Sequence, residues 1–127
     1  MDAAMPENPL PETSARWLCR LDDLLDGEAT ALDVELALDG AATAMESVIL
    51  LRRGEAVQAW LNICPHAGRR LDWAPGKFLL KDCTLICAVH GASFDTGSGQ
   101  CIAGPCRGER LRAVAIEVVH GDVRLAG

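Results

Sequence analysis

The chain has 127 residues, a formal net charge of −6, an apolar half that includes three Trp and two Phe, and no Tyr. That length suits one domain able to bury a core without disulfide or metal staples. The acidic balance argues against a nucleic-acid partner, which needs a basic face, and is compatible with docking onto a basic patch of another protein or with solubility alone.

Twelve glycines and six prolines predict many turns, and so β structure rather than long helices. Residues 1–15 read as a loose tail without the basic and apolar regions of a signal peptide, and no segment is apolar over a bilayer's width. A cytoplasmic protein is therefore expected, in which six cysteines serve as ligands or thiols rather than disulfides. Arg16 to Cys19 reads as a first strand, followed by acidic, flexible sequence with a short helical reading at Leu21 to Leu25. Leu32 to Leu38 alternates with period two, as a half-buried strand does, and Asp39-Gly40 marks a turn.

Ser47 to Arg53 and Glu55 to Ile63 predict a hairpin turning at Gly54. In its second arm Val57, Ala59 and Leu61 share one face, with Gln58, Trp60 and Asn62 on the other. Leu71 to Gly76 is a turn-rich link. Phe78 to Leu80, Thr84 to Cys87 and Ser93 to Asp95 read as short strands, and Thr96 to Gly99 as a turn. Leu111 to Val119 predicts a long strand, His120-Gly121-Asp122 a hairpin turn, and Val123 to Leu125 the closing arm. The expected class is all-β, with many short antiparallel strands.

Two Cys-His pairs stand out: Cys64-Pro65-His66 and Cys87-Ala88-Val89-His90-Gly91. Thiolate and imidazole bind zinc, copper and iron alike, so residue type does not choose the metal. Structural zinc sites separate paired ligands by two to four residues, whereas one residue, Pro65, separates Cys64 from His66. Positions i and i+2 of an extended segment project to the same side, which suits two adjacent metals.

From about Arg16 to the C-terminus, and most sharply from Cys64 to Leu111, the chain resembles the Rieske [2Fe–2S] family. The motif Cys-x-His…Cys-x-x-His-Gly, the run His90-Gly91-Ala92-Ser93-Phe94-Asp95 and the segment Gly99…Gly104-Pro105-Cys106 carry the resemblance. It implies one [2Fe–2S] cluster per chain, with Cys64 and Cys87 on one iron and His66 and His90 on the other. It also implies a Rieske domain over residues 16–127 with three antiparallel sheets, its cluster-binding part at about residues 63–107 inserted into a small β base.

Respiratory-type members carry a further Cys in each ligand loop, paired as a disulfide; this chain has Arg69 and Val89 there. They also place Ser and Tyr hydroxyls after the second His, where this chain has Ala92 and Phe94. Hydrogen bonds to sulfur stabilise the reduced cluster, so their loss lowers the potential. Arg69 and Arg70 push upward, but exposed charge is screened. The expected midpoint lies between about −200 and −50 mV, near the low end for Rieske centres. The second nitrogen of each His ligand can couple redox state to pH.

Other candidates read as structural. Cys19, Cys83, Cys101 and Cys106 are expected to be small buried hydrophobes, with a Cys101–Cys106 disulfide disfavoured by the compartment. His120 is a turn residue, and Trp60 and Trp73 pack under the cluster loops. Gly68, Gly91 and Gly104 serve either turns or close backbone approach.

The family resemblance implies a soluble, monomeric electron carrier between a reductase and a terminal oxidoreductase such as a ring-hydroxylating oxygenase. No second metal motif or nucleotide loop is present, so a complete oxygenase is excluded and no catalytic residue is assigned. The alternatives are a small subunit of a larger reductase, like that of nitrite reductase, and a redox or iron–sulfur sensor.

Overall fold

The computed structural model describes residues 17–38, 40, 42–65, 70–74, 76–81, 83–87, 91–104, 106 and 108–126. The expected tail, Asp39 of the first turn, Gly68, Arg69, Val89 and both expected histidine ligands, His66 and His90, lie outside these residues. The described residues form ten strands and a single 3₁₀ turn, Leu21–Asp23, where the sequence allowed a short helix.

The strands are β1 (Trp17–Arg20), β2 (Ala29–Leu36), β3 (Ala44–Arg53), β4 (Ala56–Leu61), β5 (Leu79–Lys81), β6 (Thr84–Ile86), β7 (Ser93–Asp95), β8 (Cys101–Ala103), β9 (Ile116–Val119) and β10 (Asp122–Leu125). They make three antiparallel sheets, ordered β1-β10-β9, β2-β3-β4 and β5-β6-β7-β8. The last sheet is inserted in sequence between β4 and β9, as the resemblance implies. Among the described residues no helix is long and apolar enough to cross a membrane.

The predicted hairpin is β3–β4, and its register explains an unbroken run of buried residues from Val48 to Leu51. Val48 pairs with Leu61 and Leu50 with Ala59. All four face a core shared with Cys19 of β1, Val34 of β2 and Val123 of β10. Ile49 pairs with Trp60, and both face the opposite way, into a second core with Cys64, Cys87, Phe94 and Leu111. Successive side chains of a strand point to opposite faces, so this sheet separates a base core from a cluster-side core.

Strand boundaries shift by a few residues from the sequence reading, most instructively at two places. β2 begins at Ala29, three residues early, because its pairing with β3 runs from Ala29↔Leu51 to Leu36↔Ala44. The predicted strand from Leu111 to Val119 is regular only at Ile116–Val119. Its first half divides its hydrogen bonds: the Leu111 N–H donates to Gly99 at 2.7 Å and the Val114 N–H to Ala59 at 2.9 Å. A segment crossing from one sheet to another cannot keep a ladder with either.

Candidate metal centre

The first loop leaves β4 at Asn62 and returns at Leu71. Asn62 is 1% exposed and closes the loop with its own side chain. Its Oδ1 accepts the Leu71 N–H at 2.8 Å, its Nδ2 donates to Ser47 Oγ at 3.2 Å, and its backbone N–H donates to the Ser47 carbonyl at 2.9 Å. Asp72 follows, its side chain 2% exposed, taking two hydrogen bonds from Arg70 at 3.0 and 2.7 Å and one from the Gly76 N–H at 2.9 Å. Burial pushes the Asp72 carboxyl up, but hydrogen bonds from Arg70, Gly76 and Asn62 and the Arg70 charge outweigh it and hold it below the usual carboxylate value. Asn62 and Asp72 thus fix both ends of the segment that carries Cys64, whose side chain is fully buried.

Backbone hydrogen bonds close the second loop. The Cys87 N–H donates to the Ala92 carbonyl at 2.7 Å, and the Gly91 N–H donates to the Cys87 carbonyl at 2.9 Å. Gly91 adopts φ +71°, which a side chain would disfavour. Cys87 is fully buried in the same core as Cys64. Ala92 and Phe94 are fully buried there too, so the expected absence of hydroxyls applies at positions that face the core. Ser93 sits between them on the other face of β7, and its hydroxyl donates to the Gly91 carbonyl at 3.4 Å.

The third loop leaves β8 after Ala103. A Cβ on Gly104, whose φ is +97°, would lie 2.8 Å from Ala92 Cα, so glycine lets this loop press on the second. Cys101 and Cys106 are buried and thiolic, and no disulfide joins any of the six cysteines. Burial, with Cys101 and Cys64 nearby, pushes the Cys106 thiol up to about 12, so it keeps its proton.

Several expectations for the neighbours change. Trp60 packs in the cluster-side core as expected, with a Gly99 Cβ position only 2.7 Å from its ring. Trp73 is instead 60% exposed, because the loop it follows is closed one step earlier by Leu71 and Asp72. Cys83 is exposed rather than buried, at φ +64° in the β5–β6 turn. Cys19, Cys101 and Cys106 are buried as expected, and His120 occupies a turn at φ +51°. The charge of Arg70 is spent on Asp72 within the protein, which weakens its expected upward push on the potential. Sequence reasoning missed the Asn62 clasp and the burial of Cys106 in the core that holds Cys64 and Cys87. A polar amide two residues before a ligand was the only signal for the first.

The structure brings Cys64 and Cys87 together in one core, while their expected histidine partners lie outside the described residues. Among the described residues no three metal-ligating side chains converge. The residues present fit the sulfur side of a [2Fe–2S] cluster. Two soft donors, withdrawn from water, stand at the roots of two loops, and the third loop presses on the second through a glycine backbone.

The family model of the Rieske [2Fe-2S] domain matches residues 16–119, and the chain belongs to that family, whose cofactor is a [2Fe–2S] cluster. The ferredoxin of carbazole 1,9a-dioxygenase from Nocardioides aromaticivorans IC177 is 32% identical; the match covers 87% of this chain and 94% of that one, with a TM-score of 0.65. The Sphingomonas yanoikuyae B1 ferredoxin is 22% identical over 87% of this chain and 96% of that one, with a TM-score of 0.61. A putative nitrite reductase NADPH small-subunit protein shares the fold at 20% identity, over 87% and 96% of the two chains, with a TM-score of 0.60. No curated protein matches the chain.

Proposed function

We propose that this chain is a one-electron carrier that holds its [2Fe–2S] cluster through Cys64, His66, Cys87 and His90. It passes electrons from a reductase to a terminal oxidoreductase such as a ring-hydroxylating oxygenase. The observation that carries the reading is the convergence of two fully buried cysteines from two loops of a Rieske fold. The similarity to a dioxygenase ferredoxin along nearly its whole length supports the carrier role.

The cluster supplies reversible uptake of one electron. The chain's own residues clasp the loops, exclude water from both sulfurs and set the surrounding charge. Six thiols suit a reducing, cytoplasmic setting. A carrier has to release its partners, so a monomer that runs alone on purification is expected.

Voltammetry of the purified protein tests the reading. With Ala92 and Phe94 facing the core and Arg70 paired, the expected midpoint is between about −200 and −50 mV. A midpoint above about +150 mV contradicts it. Co-purification with another chain in fixed stoichiometry assigns the protein to a larger reductase instead.

A further inference from the structure

Cys101 and Cys106 flank the loop that contains Gly104, and Glu109 ties their backbones together. The Glu109 N–H donates to the Cys106 carbonyl at 2.9 Å, closing a turn in which Gly108 adopts φ +95°, and the Glu109 carbonyl accepts the Cys101 N–H at 2.8 Å. A hydrogen bond joins the two thiols. The Cys101 thiol gives its one proton to the Ala103 carbonyl at 3.3 Å, so Cys106 is the donor of that bond and the Cys101 sulfur its acceptor. Cys101 also lines a cavity of about 180 Å³ with Gln100, Gly108, Glu109 and Arg110, whereas Cys106 is fully buried and forms no part of its wall. Of the remaining cysteines outside the proposed ligand set, Cys19 lies in the base core and Cys83 is exposed in the β5–β6 turn.

We propose that Cys101 and Cys106 are a peroxide-sensitive thiol pair that closes to a disulfide and reopens on reduction. The cavity admits hydrogen peroxide, a molecule the size of about two waters. Peroxide oxidises the Cys101 thiol to a sulfenic acid: an S–O bond forms, the O–O bond breaks and one water leaves. The Cys106 sulfur then attacks the Cys101 sulfur. The S–S bond forms, the S–O bond breaks, and the Cys106 proton departs with the hydroxyl as a second water. Two electrons pass from the pair to the peroxide, and a cellular dithiol returns them by thiol–disulfide exchange. Rotation of the two side chains closes the sulfurs from hydrogen-bond contact to the disulfide length of about 2.05 Å. Transient, redox-sensing disulfides of this kind are the ones expected among thiols of a reducing compartment. The bond closes the loop that carries Gly104, which presses on Ala92 of the second loop.

Peptide mapping tests this on the cluster-loaded protein carrying Cys83→Ala, which removes the exposed thiol. The protein is treated with a small excess of hydrogen peroxide, denatured, alkylated and analysed by mass spectrometry. A Cys101–Cys106 disulfide that forms before the visible absorption of the cluster declines, and that dithiothreitol returns to two thiols, is expected. Thiols that persist until the cluster bleaches, or an earlier disulfide from either residue to another cysteine, overturn the proposal. In Cys106→Ser, the Cys101 sulfenic acid is expected to accumulate and to be trapped by dimedone. In Cys101→Ser, Cys106 is expected to stay a thiol; its oxidation at the unsubstituted rate contradicts the assigned order of steps. If neither serine variant folds, mapping of the protein with both cysteines decides. Failure of the ligand reading would show separately, as an untreated protein without the EPR signal of mixed Cys/His ligation.

Discussion

The two cores that share the β2-β3-β4 sheet are made of different materials. The base core is aliphatic apart from Cys19: Leu21, Leu24, Val34, Val48, Leu50, Ala59, Leu61 and Val123, with further Leu, Val and Ile packed around them. The cluster-side core has four cysteines, Trp60 and Phe94, with Phe78 against its edge. Burial alone stabilises the first, at about 25 cal/mol per Å² of apolar surface. The second gives up part of that to place soft donors out of water, and it relies on clasps such as Asn62 and on the metal itself. One sheet therefore couples a stability module to a redox module through alternate residues of the same two strands.

Substitutions should separate the two modules. The largest effect is expected for Cys64→Ala and Cys87→Ala, which should abolish cluster incorporation, read as loss of the visible chromophore. Both variants should keep far-ultraviolet circular dichroism typical of β structure, since the base core is untouched; a fully unfolded variant would break the division. Leu50→Ala lies on the other face and should cost about 2–5 kcal/mol in denaturant unfolding. Its cluster midpoint should stay that of the wild type, and a shifted midpoint would mean that the cores are not independent.

Asn62→Leu keeps the volume but leaves the buried Leu71 N–H without an acceptor, at about 1–3 kcal/mol. Faster cluster loss to a chelator should accompany it, because both ends of the first loop are freed. Loss of stability with unchanged chelator kinetics would show that the clasp serves the fold alone. The smallest effect concerns acid. The Asp72 carboxyl is held below its ordinary value of 3.8, so the folded state binds this proton less readily than the unfolded chain. Its stabilising contribution is present above that value and is lost as the pH falls through the lower folded value. Asp72→Asn should flatten this acid-side dependence in denaturation measured against pH.

Much of this was legible in the sequence, and the failures have physical causes. Period-two patterning and β-branched runs located β2, β3 and β4, because each has an alternation or an apolar run that pairing then used. It could not reveal that the end of β4 is buried on both faces, since polar Gln58 and Asn62 flank Trp60 on one of them. The segment from Leu111 to Val114 looked like strand because apolar content does not record which partner takes each hydrogen bond. The two Cys-His pairs stood out through their spacing, and the fold buries Cys64 and Cys87 in one core. The clasp of Asn62 and the burial of Cys106 in the core of Cys64 and Cys87 were not legible, because both join positions that only the fold brings together.

The central claim is that the buried Cys64 and Cys87 share their cluster with two histidines. EPR of the dithionite-reduced protein tests it most directly. A rhombic signal with the low average g value of mixed Cys/His ligation is the predicted result, whereas an all-cysteine signal, or EPR silence with bound zinc, would contradict the account.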